Sequence, residues 1–164
     1  MDQTQAFSYR CPRWAELPTL ALYMDQTLIV IDEAVRPLIP EGEASATSTM
    51  INNYVKIKLI SPSQKKKYSR EHLAGLIMIT LLKRVLSMTE LASLLGSLEL
   101  ETDYDRFCAE LERRLREAFS NGEECAPTED DFPPLLGAAV RTLACKLRFE
   151  SIAAEQCRAA DSNC

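Results

Sequence analysis

The chain has 164 residues, of which 46% are hydrophobic and only five are glycine. That length suffices for one sizeable core, and so few turn glycines favour helices over a strand-rich architecture. The net charge of −5 excludes a surface that is attracted to polyanions all over.

Residues 1 to 17 read as a loose N-terminal arm, with Trp14 and Leu17 available to pin it to the core. From Leu20 to Val35, the positions Leu20, Tyr23, Met24, Leu28, Ile31 and Val35 repeat at helical spacing and predict a first helix. "RPLIPEGEASATS" breaks that pattern with two prolines, a glycine and small polar residues, so it reads as a loop. A short helix over 49 to 58 follows, capped by Ser48 or Thr49, because a hydroxyl there accepts from an orphan backbone amide. Its inward face is Met50, Tyr54 and Ile57, which leaves Asn52, Asn53 and Lys56 outside. "LISPSQKKKY" reads as a small hairpin or an extended loop, since Pro62 is out of place in a central strand.

Ser69 caps a helix over 70 to 85 with the stripe Leu73, Leu76, Ile77, Thr80 and Leu81. Ser87 and Glu90 form a capping box, in which serine bonds forward to the third helical amide and glutamate bonds back. The short helix after it is expected to stop at Gly96 in a left-handed conformation. A longer amphipathic helix runs from Thr102 to Ser120, with Tyr104, Phe107, Cys108, Leu111, Leu115 and Phe119 on one side and the charged "ERR" and "RE" on the other. "NGEECAPTEDDFPP" is an acidic linker. The last helix, 135 to 157, carries the stripe Leu136, Val140, Leu143, Leu147 and Ile152, and the tail "AADSNC" is expected to fray. The fold class is therefore all-α with at most one short hairpin, at 58 to 68. The parts are an arm (1–17), a central unit (18–100) and a C-terminal helical extension (101–164).

Charge is unevenly placed along this scaffold. Residues 47 to 84 hold eight lysines and arginines against one glutamate, a surplus of +7, while the remaining chain carries −12. One cationic face on an acidic body suits a polyanion, although a lysine cluster is also how a plain solvated face looks. The six cysteines contain no C-x-x-C pair, and His72 is the sole histidine, so no metal or other cofactor is expected. Cys108 and Cys145 sit among apolar neighbours and are expected to be buried. The N-terminus lacks an apolar signal core, and "LAGLIMITLL" is too short to span a bilayer, so the expectation is a cytoplasmic protein with reduced thiols and no membrane partner. No nucleotide-binding, nucleophile-elbow or zinc-protease motif occurs. His72 beside Arg70 and Glu71 is expected to be exposed or lightly hydrogen-bonded, and Glu129, Asp130 and Asp131 lie in a polar linker without a dry pocket. An enzyme is not expected.

The run "MINNYVKIKLISPSQKKKYSREHLAGLIMITLLKRVLSMTELASLL", Met50 to Leu95, resembles the DNA-binding domain of MerR-type regulators. That resemblance implies a winged helix-turn-helix: a recognition helix, a short segment with proline, a basic wing, a tyrosine and two further helices. More closely, "LYMDQ", "TMINNYVK", "KKKYSREHLA" and "LLKRVLSMTEL" are similar to an uncharacterised bacterial family, domain of unknown function 1836, over roughly residues 17 to 120. The implied role is a transcriptional regulator that binds double-stranded DNA. Asparagine reads adenine edges, and basic side chains fix register on phosphates. The candidate residues are Asn52, Asn53, Lys56, Lys58, Lys65, Lys66, Lys67, Tyr68 and Arg70. The C-terminal stripes are expected to form a homodimer, or else to bury each other within one chain. The alternative is a protein-protein interaction module that keeps the winged fold without binding DNA. The connection from Val35 to Ser48, far longer than the three or four residues of a tight helix-turn-helix, and the acidic remainder point that way.

Overall fold

Ser69 starts the helix on which the molecule is built. Its hydroxyl caps α4 (Arg70–Leu82), a helix that is apolar all round because "LAGLIMITLL" leaves no polar stripe. Such a helix must be covered on every side, and each residue from His72 to Leu82 is indeed buried. A fully buried leucine or isoleucine contributes on the order of 1.5–3 kcal/mol, so α4 is the main source of cohesion. The computed structural model describes residues 3 to 120 and 132 to 161. Around α4 pack α2 (Met24–Val35), α5 (Met88–Leu95), α6 (Leu100–Phe119) and α7 (Pro134–Asp161). Two further helices, α1 (Gln3–Ser8) and α3 (Ser48–Lys56), complete the set among the described residues, which are mostly helical, as their apolar spacing predicts.

Among the described residues, the strand content is one ribbon. β1 (Leu22–Tyr23) pairs antiparallel with β2 (Lys67–Tyr68), Leu22 opposite Tyr68 and Tyr23 opposite Lys67. The expected hairpin at 58 to 68 is thus reduced to a single bridge, Gln64 to Lys67, and the strand finds its partner before α2 instead. This ribbon also shortens the first helix. Leu20 and Tyr23, expected on its buried stripe, are 79% and 56% exposed, since Leu20 lies in a bend and Tyr23 in β1, both before α2 begins.

The N-terminal segment is not loose. α1 packs on α6, and a single 3₁₀ turn, Trp14–Glu16, does the same. Cys11 N–H donates to Glu112 at 2.9 Å, Arg13 pairs with the same carboxylate at 2.8 Å, and Trp14 N–H donates to Asp105 at 2.6 Å. The charged side of α6 is accordingly not a solvated face: Glu110, Glu112 and Arg114 are buried. The stripes Leu111–Leu115–Phe119 and Leu136–Val140–Leu143–Leu147 are buried in the common core as α6 packs against α7, so they are not free for a second copy.

Three local expectations need correction. Gly96 closes α5 in a right-handed conformation (φ −66°), because the chain runs on through further turns bonded to Leu94 and Leu95. Cys145 is exposed, two positions beyond Leu143 and so turned to the far side of α7. Ile152, placed on the buried stripe, is 39% exposed, on the same outer side of that helix. The acidic linker, with Glu129, Asp130 and Asp131, lies outside the described residues apart from its last positions, of which Phe132 is buried. The fraying expected for the tail also falls largely outside them, although the α7 backbone continues to Asp161.

Candidate nucleic-acid interface

α3 is nine residues long and begins one residue before its predicted start. Thr47, not Ser48 or Thr49, is the cap, and its hydroxyl accepts from Met50 N–H at 3.2 Å. The buried anchors are Ile51 and Tyr54, with Met50 half-buried. Ile57 was expected to turn inward, but it follows the last helical residue and is 44% exposed. Asn52, Asn53 and Lys56 face solvent. Thr49 shares that face at the i, i+3, i+4, i+7 spacing of 49, 52, 53 and 56, and it is exposed too. The same spacing was available in the sequence and adds Thr49 to the exposed face, where charge counting overlooks it.

The end of α3 carries an unusual feature. Leu59 N–H donates to Tyr54 C=O at 2.8 Å, and Lys58 N–H donates to Val55 C=O at 3.0 Å. This is a Schellman cap, which calls for a left-handed residue, ordinarily glycine. Lys58 occupies it at φ +59°. The tight turn between Gln64 and Lys67 repeats the pattern. Its amides and carbonyls exchange bonds of 2.9 and 3.1 Å, and its two central residues, Lys65 and Lys66, stand at φ +51° and +63°. Two successive positive φ values mark a type I′ turn, where Asn-Gly is the usual pair. All the described non-glycine residues with positive φ are lysines of this segment. Lys58, Lys65 and Lys66 are exposed.

The remaining candidates are engaged with the protein. Lys67 is half-buried and its Nζ lies 4.8 Å from the Tyr23 ring centroid. Tyr68 is buried, edge-on to His72 at 5.6 Å, so its ring supports the lysine turn from the core side and is not part of its surface. Arg70 donates to Leu17 C=O at 3.1 Å and stacks over Trp14. His72, expected to be exposed or lightly hydrogen-bonded, is buried and hydrogen-bonded. Ser69 N–H donates to its Nδ1 at 3.1 Å, so the ring proton sits on Nε2 and points to the Ser61 carbonyl at 3.2 Å. The histidine therefore stands at the reciprocal position of the Ser69 capping box, where Glu or Gln is usual, and it fastens Ser61 to the start of α4.

Lys83 and Arg84, counted in the cationic segment, serve the long connection between α2 and α3. Lys83 Nζ donates to Ser45 C=O at 3.0 Å, and burial lowers its pKa below the ordinary lysine value. Arg84 bonds Leu38 C=O and pairs with Glu150 of α7 at 2.6 Å. Asp32 takes hydrogen bonds from Arg36 and from Ser45 Oγ, which hold its carboxyl below the usual range. Arg36 reaches on to Glu43 C=O at 2.9 Å. The loop is long but bonded at both ends, so α3 has a fixed seat. Among the described residues, no cluster of three or more His, Cys, Asp or Glu side chains is placed to hold a metal ion, and no helix is long and apolar enough to cross a membrane.

The class defined so far is a mostly helical protein with one short polar helix and one lysine turn on its cationic segment. A family model described as "Domain of unknown function (DUF1836)" matches residues 12–117. The chain belongs to that family. No curated protein matches it, and neither does any solved structure.

Proposed function

We propose that the protein is a transcriptional regulator that binds duplex DNA with α3 as the reading helix and the segment 58 to 68 as a basic wing. The observation that carries this reading is the trio Lys58, Lys65 and Lys66, all exposed at positive φ in the segment that follows α3, whose exposed face holds Thr49, Asn52, Asn53 and Lys56. A side chain in that region costs on the order of 1 kcal/mol, and such strain concentrates at functional sites. Glycine and asparagine would fold better there, and only lysine adds charge. Ile51 and Tyr54 anchor α3 from behind, which presents Thr49, Asn52, Asn53 and Lys56 together. The acidic remainder discourages other orientations on a polyanion.

A homodimer belongs to the same proposal, but through a different face from the buried stripes. Leu135, Thr142, Phe149 and Gln156 recur every seven residues along α7, with Ala138, Cys145 and Ile152 interleaved, and all seven are exposed. This is the spacing of a coiled-coil seam. Arg141 and Glu155 flank it, both exposed, and run antiparallel each would meet its opposite in a second copy. If DNA is not bound, this same seam is what favours the interaction-module reading.

The test is duplex binding across a salt series. Replacing Lys65 and Lys66, the two exposed lysines of the turn, with alanine lowers affinity for every sequence and flattens the salt slope by up to about two phosphate contacts. Asn53→Ala instead costs on the order of 1–3 kcal/mol at the preferred site alone. Equal, sequence-independent losses in both variants would remove α3 from the reading role.

A further inference from the structure

Two thiols meet in the core, 97 positions apart in the chain. Cys108 Sγ on α6 donates to Cys11 Sγ, in the extended stretch after α1, at 2.9 Å. Both side chains are fully buried. Cys11 is held on either side of its own Cα. Its N–H is bonded to Glu112 at 2.9 Å, and its C=O accepts from Arg13 at 3.2 Å, while Arg13 and Glu112 pair with each other. Tyr104 Oη stands 3.9 Å from the Cys11 sulfur. A disulfide needs sulfurs about 2.05 Å apart, so closure asks for a movement of less than about 1 Å. Among the described cysteines, the other two, Cys145 and Cys157, are exposed on α7, away from this pair.

We propose that Cys11 and Cys108 are an oxidisable dithiol that closes to a disulfide with peroxide as the oxidant, stapling the N-terminal segment to α6. The roles of the two sulfurs differ. The hydrogen bond from Cys108 lowers the Cys11 thiol below its ordinary value, whereas burial pushes the Cys108 thiol up. Cys11 is the sulfur that reacts first, as a thiolate. It attacks one oxygen of hydrogen peroxide: the S–O bond forms, the O–O bond breaks, and the departing hydroxide takes up the proton that Cys11 released, giving water. Cys108 sulfur then attacks the sulfenic sulfur of Cys11. The S–S bond forms, the S–O bond breaks, and hydroxide leaves with the proton of Cys108 as a second water. Two thiols and one peroxide thus give one disulfide and two waters, with two electrons passing from the sulfurs to the peroxide. Access to buried sulfurs comes from local opening of the segment between α1 and the 3₁₀ turn, a short irregular stretch held by the Glu112 bonds and by the buried side chains of Tyr9 and Cys11. The 3₁₀ turn that follows carries the Trp14 ring, and Leu17 just after it the carbonyl, that seat Arg70. The inference stands apart from DNA binding and does not depend on it.

The experiment uses the full chain in native buffer. It is treated with hydrogen peroxide, the remaining thiols are capped with iodoacetamide, and tryptic peptides are mapped without reduction. A parallel sample is melted with and without dithiothreitol. The expected product joins peptides 11–13 and 107–113. Closing so long a loop raises Tm by up to about 10 °C, and dithiothreitol reverses both changes. Cys108→Ala abolishes the link and the shift. Should that variant fail to fold, the oxidised and reduced parent still decide the matter. Recovery of Cys11 and Cys108 as capped monothiols after peroxide has oxidised Cys145 would overturn the proposal. So would a link that forms only in urea-unfolded chains.

Discussion

Lys58, Lys65 and Lys66 are where local preference and observed conformation disagree most. A lysine Cβ crowds the backbone at positive φ, while glycine and asparagine tolerate it. The account therefore predicts that Lys65→Asn with Lys66→Gly, the favoured pair for such a turn, raises stability by roughly 1–2 kcal/mol, or a few degrees in Tm. Lys58→Gly moves in the same direction by a smaller amount, because the added glycine also gains freedom when unfolded. A thermal melt of each variant checks this, and a fall in Tm would show that the lysines stabilise the turn. The identities of these residues were legible in the sequence as a charge cluster. Their left-handed backbone was not, because the usual flag for that conformation is a glycine and none stands there. Thr47 escaped for a related reason: three hydroxyl residues in a row, Thr47, Ser48 and Thr49, all satisfy the capping preference, and only the bond to Met50 N–H separates them.

At the level of elements, the cap at Ser69, the capping box at Ser87 and the apolar stripes of α6 and, as far as Leu147, of α7 follow from patterns within a turn or two of helix, and they appear where those patterns place them. What local pattern misses is what covers a polar face. The acidic residues of α6 look solvent-facing from periodicity, yet Glu112 receives Arg13 and the Cys11 amide from about a hundred positions away. Glu110 is a further case. Burial alone would raise its carboxyl, but hydrogen bonds from Arg113 and Arg114 bring it below its ordinary value. A depressed folded-state carboxylate stabilises the fold above its unfolded pKa, near 4.3, and that contribution is lost as pH falls through the folded value. Glu110→Gln should then lower Tm at pH 7 and make little difference near pH 3, narrowing the gap between parent and variant as acid is added. A gap that stays constant with pH would mean that the arginines do not charge-stabilise this carboxylate.

For the molecule as a whole, one cationic edge sits on a body whose remaining chain carries −12, and one long helix offers an uncovered heptad seam. The seam was invisible as such in the sequence because α7 carries two interleaved apolar sets, and only packing against α6 decides which set is used up inside the chain. Phe149, 70% exposed on that seam, is the residue on which a dimer would depend most. Phe149→Glu should convert a dimer to a monomer in sedimentation at tens of micromolar, about the range in which a weak dimer populates, without changing Tm of the monomer fold. A parent that is already monomeric there removes the two-fold part of the proposal and leaves the single α3 surface.

We propose above that the lysine turn and α3 meet duplex DNA. The most direct measurement is the affinity of the unmodified protein for duplex fragments as salt rises from about 50 to 200 mM. With Lys56, Lys58, Lys65 and Lys66 free at the surface, the account predicts measurable binding at the low end and a log–log slope of about −3 to −4 per protomer. Absence of duplex binding at about 50 mM salt, or binding that ignores salt across that range, would contradict it.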